Sequence, residues 1–244
     1  MRGNSFQFKQ FTIQQDQCAM KVTTDGCLFG AWVADYLRVH PVTGKALDVG
    51  TGTGLLSLMV SQKTTLIFDA IEIDLPAAEQ AAKNVTGSPF SERIRIVNAD
   101  VTKPGNLPDE RYPVIVSNPP FYENDLVSPD NRRSNAHHDS TLRLNELLDL
   151  LLQKLAPGGH FFLLLPAKRW EELKMRVEEY GLTISSVMRV CQTPRHSPFR
   201  IMVRGKHKTE AIGAMQDEEI RIREADGNYS DVFTFLLKDY YLYL

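Results

Sequence analysis

Lys45-Ala46-Leu47-Asp48-Val49-Gly50-Thr51-Gly52-Thr53-Gly54 (KALDVGTGTG) is the stretch on which the fold of this chain turns. A short apolar run ends in three alternate glycines, and a helical pattern, Leu55–Gln62, follows at once. Strand, glycine turn and helix in that order open a βαβ unit. Downstream the same alternation continues. Leu66–Ile73 (LIFDAIEI), Ile94–Ala99 and Tyr112–Ser117 (YPVIVS) read as strands, with alanine-rich Pro76–Val85 as a helix between the first two. Leu142–Leu155 has apolar residues at helical spacing and stops at Pro157-Gly158-Gly159, before a strand at His160–Leu165. A helix around Lys168–Tyr180 and two final strands, Leu182–Val190 and Arg200–Lys206, complete the pattern. The aromatics between Phe233 and Tyr243 suit either an added edge strand or a last amphipathic helix.

Strands alternating with helices predict an α/β fold: a mostly parallel sheet, helices on both faces, and a binding crevice at the carboxyl ends of the strands. Composition agrees, with 244 residues, 43% hydrophobic and 24% charged. The formal net charge of −2 offers no overall positive field for a polyanion, which leaves only a local basic patch for that purpose. Cys18, Cys27 and Cys191 are odd in number and far apart, so they read as reduced thiols of a cytoplasmic protein. The polar stretch Met1–Gln17 lacks a signal-peptide core, and no apolar run spans a bilayer, so no membrane partner is expected.

The chemistry gathers at the strand ends. The glycine spacing is G-x-G-x-G, unlike the G-x-G-x-x-G of dinucleotide sites. Asp48, on the strand before it, would repel a pyrophosphate but favours the sulfonium and ammonium of S-adenosylmethionine. Glu72, at the end of the second strand, can accept hydrogen bonds from two ribose hydroxyls, with Ile73 as an apolar wall for an adenine. Asp100 ends the third strand, placed for the cofactor's amino group. Singly, each carboxylate reads equally well as a helix cap; in register on consecutive strands they read as a cofactor site.

Asn118-Pro119-Pro120-Phe121 closes the fourth strand. Successive prolines donate no backbone hydrogen bond, so the Pro119 carbonyl and the Asn118 side-chain oxygen can face a ligand together. Two acceptors match the two hydrogens of an sp² amino group, and Phe121 can stack on a ring. A paired base could not reach such a slot, so the target is unpaired or flipped out. The bland alternative is a rigid strand-ending turn with a core phenylalanine.

Together, Leu47–Gly54, Glu72–Asp74, Asp100 and Asn118–Phe121 resemble the class I amino-methyltransferases. Phe11–Trp32 (FTIQQDQCAMKVTTDGCLFGAW), Arg132–His138 (RRSNAHH) and Phe235–Leu242 (FLLKDYYL) are similar to the bacterial valine-tRNA adenine methyltransferases, whose target adenine lies next to the anticodon. The resemblance implies a Rossmann-like, seven-stranded sheet and S-adenosylmethionine as cofactor, with Gly50, Gly52 and Gly54 beside its methionine portion. It implies an N-terminal segment, residues 1–43, packed on the cofactor site of a domain at 44–244, bringing Lys21, Thr24 and Asp25 near the methionine end. Thr23 stands where this family commonly has glycine. Asn118, Pro119, Pro120 and Phe121 would serve catalysis, with the anticodon arm of a tRNA as partner, no metal, and a monomer as the default. Arg132, Arg133, His137 and His138, with Lys168-Arg169, Arg195-His196 and Arg204–Lys208, are candidate phosphate contacts. The same chemistry on an rRNA base, DNA adenine or a protein glutamine is the alternative. A nicotinamide dehydrogenase is disfavoured by Asp48, and a non-catalytic cofactor-binding module by the intact NPPF tetrapeptide.

Overall fold

A computed structural model describes residues 3–18, 20–119, 142–208 and 213–244. The chain begins with a two-stranded antiparallel hairpin, β1 (Ser5–Gln7) and β2 (Thr12–Gln14), followed by α1 (Thr24–Val39). Then come β3 (Lys45–Val49), α2 (Leu55–Ser61), β4 (Ile67–Glu72), α3 (Leu75–Thr86), β5 (Ile94–Asn98) and β6 (Tyr112–Ser117). The second half runs α4 (Leu144–Lys154), β7 (Leu155–Pro166), α5 (Trp170–Glu179), β8 (Leu182–Cys191), β9 (Arg200–His207), β10 (Gln216–Arg221) and α6 (Asp231–Leu237).

The main sheet has the order β10-β8-β9-β7-β6-β3-β4-β5. Only β9 runs antiparallel to its neighbours; every other pairing is parallel. Strands β3 to β9 supply the seven that were expected, on a mostly parallel α/β sheet. Alternate residues of the central strands enter two separate cores: Ala46, Val114 and Phe162 pack with α1, α2 and α6, while Leu47, Ile115 and Phe161 pack with α4 and α5. Burial on both faces explains the near-continuous apolar runs of these strands.

Three expectations change. The sheet has an eighth strand, β10, because Gln216–Arg221 pairs in parallel with β8 although its sequence is acidic and only Ile220 is buried. The Pro157-Gly158-Gly159 turn does not separate α4 from its strand; α4 stops at Lys154 and β7 begins at Leu155, with the turn absorbed as a bulge between the Leu155–Tyr112 and His160–Val114 pairs. At the C-terminus a helix and a strand-like contact both form. Ser230 caps α6 by accepting from the Phe233 amide, and Tyr241 then bridges to Phe8. Close approach, not turn geometry, requires glycine at 205: a Cβ there would lie 2.1 Å from Phe161 on the neighbouring β7.

Candidate active site

The parallel strands all point their carboxyl ends to one edge, and the turns leaving β3, β4, β5 and β6 surround a cavity of about 630 Å³ there. The edge is tightly sewn. Gly50 and Thr51 both donate to the Ile71 carbonyl at 2.9 Å, and the Ser117 hydroxyl donates to the Val49 carbonyl at 2.8 Å. Gly50 and Gly52 adopt φ of +70° and +56°, and a Cβ on either would meet no atom within 4 Å. Their bare backbone therefore borders open space that a side chain would fill, and this suits a close-fitting ligand.

Of the residues singled out from sequence, Lys21, Gly50, Gly52, Glu72, Ile73, Asp100, Asn118 and Pro119 line this cavity. Glu72 accepts from the Gly52 amide at 2.8 Å and the Asp74 amide at 3.0 Å, which fixes its carboxylate at the glycine turn. Asp100 accepts from both the amide and the hydroxyl of Thr102, at 2.9 and 2.6 Å; these bonds, the hydroxyl's first, hold its carboxyl below the usual range. Asn118 is half-buried, its Nδ2 3.9 Å from the Met20 sulfur. Pro120, Phe121, Arg132, Arg133, His137 and His138 lie outside the described residues.

Four of the expected residues are elsewhere. Asp48 is fully buried beneath the turn, where one carboxylate oxygen accepts from the Thr51 and Ser57 hydroxyls at 2.7 Å each. Its other oxygen has no partner among the described residues, and burial pushes the carboxyl up to about 6. Gly54 caps α2, and its α-carbon faces Ala81 and Val85 of α3. Thr24 opens α1, while Asp25 pairs with Arg200 at 2.8 Å. Thr23 needs no glycine-like backbone: it is extended, at φ −120°, and its hydroxyl accepts from the Gly26 amide as the N-cap of α1.

Other residues of this region were not singled out from sequence. Gln17, Cys18 and Met20 form a strap over the cavity, and Arg143 and Glu146 reach it from the start of α4. The strap is held from α3. Asn84 accepts from the Gln14 amide and donates to the Gln14 and Thr53 carbonyls; Gln80 accepts from the Gln17 amide and donates to Asp16. Both are buried polar residues one helical turn apart in an alanine-rich helix, a spacing visible in the sequence. Among the described residues no group of three or more His, Cys, Asp or Glu side chains is placed to hold a metal ion. No described helix is long and apolar enough to cross a membrane.

Strand order, glycine turn, and paired carboxylates facing an Asn-Pro strand end define a methyltransferase of the class I fold. Residues 32–163 match the methyltransferase small domain family, and the chain belongs to it. In solved structures the fold recurs in one described as a "predicted O-methyltransferase" from Agrobacterium tumefaciens, with TM-score 0.67, 18% identity, and 88% of this chain and 96% of that one covered.

Within that class the chain belongs to the tRNA1(Val) (adenine(37)-N6)-methyltransferase family. It is 39% identical to the family member of Dyadobacter fermentans over 99% of its own length and 98% of the relative's. The Parabacteroides distasonis member is also 39% identical, with 99% of both chains covered.

Proposed function

We propose that the protein methylates the exocyclic nitrogen of an unpaired adenine in tRNA, beside the anticodon of a valine tRNA, with S-adenosylmethionine as cofactor. The observation that carries this is the meeting of Asn118 and Pro119 with Glu72 and Asp100 around one cavity. When bound, S-adenosylmethionine supplies an electrophilic methyl group. Glu72 receives the ribose hydroxyls, Ile73 flanks the adenine ring and Asp100 receives its amino group, with the bare backbone of Gly50 and Gly52 and Lys21 at the methionine end. Asp48 acts from below, holding Thr51 and Ser57 so that the turn keeps its shape.

Asn118 and Pro119 handle the target. An aromatic amine is a weak nucleophile because its lone pair is delocalised into the ring. Oxygen acceptors on both its hydrogens favour a tetrahedral nitrogen and stabilise the positive charge that develops there. With the Asn118 amide nitrogen turned to Met20, the side-chain oxygen is left for this task. By the family resemblance, Pro120 and Phe121 serve the same step, Phe121 by stacking on the target base. The N-terminal segment, residues 1–43, packs on the cofactor site of the 44–244 domain through Gln17, Cys18, Met20 and Lys21. The protein works in the cytoplasm as a monomer that grips the anticodon arm.

A labelled-methyl transfer assay tests the reading, with total tRNA, bulk DNA and a glutamine peptide offered side by side and the product nucleoside identified. Label in N6-methyladenosine of tRNA is the expected result; label confined to DNA or peptide overturns it. Asn118→Ala should abolish turnover while leaving cofactor affinity within about threefold. Glu72→Ala should weaken cofactor binding by about tenfold or more, the loss of hydrogen bonds to a charged group.

A further inference from the structure

The cavity edge is electrically lopsided, and the lopsidedness follows strand order. On the side of β4 and β5 the turns carry Glu72, Asp74 and Asp100, the last paired with Lys103 at 3.7 Å. Beyond Asn118, along β7, β9, β8 and β10, the same edge carries Lys168, Arg169, Arg200, Arg195, His196, Arg221 and Arg223. β9 belongs to this group because, running antiparallel, it starts at the edge where its neighbours end. Ala167, on the turn after β7, donates to the Phe199 carbonyl before β9, so the two turns form one rim.

Part of that charge is neutralised locally. Arg169 pairs with Glu172, Arg200 with Asp25, and Arg221 with Glu219. Glu224 and Asp226 also lie on the loop after β10. Arg195, His196 and Arg223 are nevertheless exposed, and among the described residues no carboxylate pairs with Arg195 or Arg223. Arg223 is propped in place, its guanidinium 4.2 Å from the centre of the Tyr229 ring and bonded to the Gly227 carbonyl. With strands about 4.8 Å apart, β8 lies about 14 Å from the β6 edge and β10 about 19 Å.

We propose that the rim beyond Asn118, from Lys168 through Arg195 to Arg223, carries the phosphate backbone of the RNA substrate. The inference rests on the proposed reading of that substrate as tRNA. A chain of net charge −2 holds a polyanion by segregating its charges along one edge: carboxylates over the half that takes a cationic cofactor, cations over the half that takes phosphates. The rim also gives the inserted base its direction, since a backbone lying on it passes the Asn118 end of β6.

Binding of a labelled, unmodified tRNA is measured by anisotropy against KCl concentration, with S-adenosylhomocysteine saturating. The variants are Arg195→Gln, Arg223→Gln and the double substitution. Arg38→Gln, at the far end of α1, is the control, and S-adenosylhomocysteine affinity is measured separately by calorimetry. The double variant should bind tRNA about tenfold or more weakly at about 0.1 M KCl, with its log–log salt slope reduced by about 1.4 to 1.8, the release expected for two phosphate contacts. Cofactor-product affinity and the Arg38→Gln variant should stay within about twofold of the parent. A double variant with the parent's affinity and slope overturns the rim while leaving the proposed function standing. A parent protein that binds no tRNA overturns both.

Discussion

Asp48 shows how a residue chosen for one role can serve another. Sequence logic put its charge beside a cationic ligand, yet the carboxylate is sealed under the glycine turn, bonded to Thr51 and Ser57. Burial raises its ionisation from 3.8 to about 6, so the folded protein holds that proton more tightly than the unfolded chain. The stability this contributes is present below about pH 4 and is lost as pH rises through about 6. Replacing it by Asn, which keeps one acceptor, removes the titration. The stability of the parent relative to Asp48→Asn should therefore fall by on the order of 3 kcal/mol between about pH 4 and pH 7. Thermal melts of both proteins across that range test this, and parallel pH profiles count against it. At the turn above, Gly52→Ala places a methyl group in the cavity on a left-handed backbone. The backbone strain costs about 1–2 kcal/mol of folding stability in free and bound protein alike, so a loss of cofactor affinity reports the methyl group in the cavity. Calorimetric titration with S-adenosylhomocysteine separates the two effects.

Between elements, the strap and α3 are joined by side chain to backbone bonds that no local sequence pattern encodes. Gln80 and Asn84 reach residues 14–17 across more than sixty positions of the chain. Their spacing of one helical turn is visible in the sequence; their burial and their partners are not, because only the tertiary fold brings hairpin and helix together. Asn84→Leu keeps the branched shape of the side chain but strips three hydrogen bonds and leaves the Gln14 amide unpaired. Cys18 reports the result, since it sits on the strap and is half-exposed, whereas Cys27 and Cys191 are buried and burial pushes the Cys27 thiol up to about 12. Thiol-reagent labelling of Cys18 should accelerate in Asn84→Leu, and KM for S-adenosylmethionine should rise with kcat little changed. Equal labelling rates in variant and parent argue that the strap holds without α3. The contact of β7 with β9 makes an independent test of packing. Gly205→Ala forces a methyl group into the Phe161 ring, an overpacking that should cost about 1–3 kcal/mol in denaturant unfolding.

Over the whole molecule, the strands at the centre of the sheet were legible because both their faces are buried, so YPVIVS and FFLLL read as apolar without periodicity. The glycine turn was legible because its backbone conformation demands that residue at 50 and 52. The margins were not. β10 buries Ile220 alone and exposes Gln216-Asp217-Glu218-Glu219, charges that protect a free sheet edge but conceal a strand. Nor did the sequence disclose that the two chain ends meet. Lys9 donates to the Tyr240 carbonyl, Phe8 bridges to Tyr241, and the Tyr241 ring lies 5.6 Å from Phe6 and 6.4 Å from Phe233 between ring centres. The C-terminal tail thus anchors the hairpin from which the strap continues, linking a remote end of the chain to the cofactor cavity. Tyr241→Ala removes the ring that both ends share, and should lower stability by about 3 kcal/mol, as for other large aromatic truncations. If the anchor also positions the strap, S-adenosylhomocysteine affinity falls several-fold in the same variant at temperatures well below its melting transition. Val187→Ala, at a buried site of the other core, is the matched comparison: it should lower the melting temperature while leaving that affinity unchanged. Equal loss of affinity in both variants would mean that general softening, and not the meeting of the chain ends, governs the cavity.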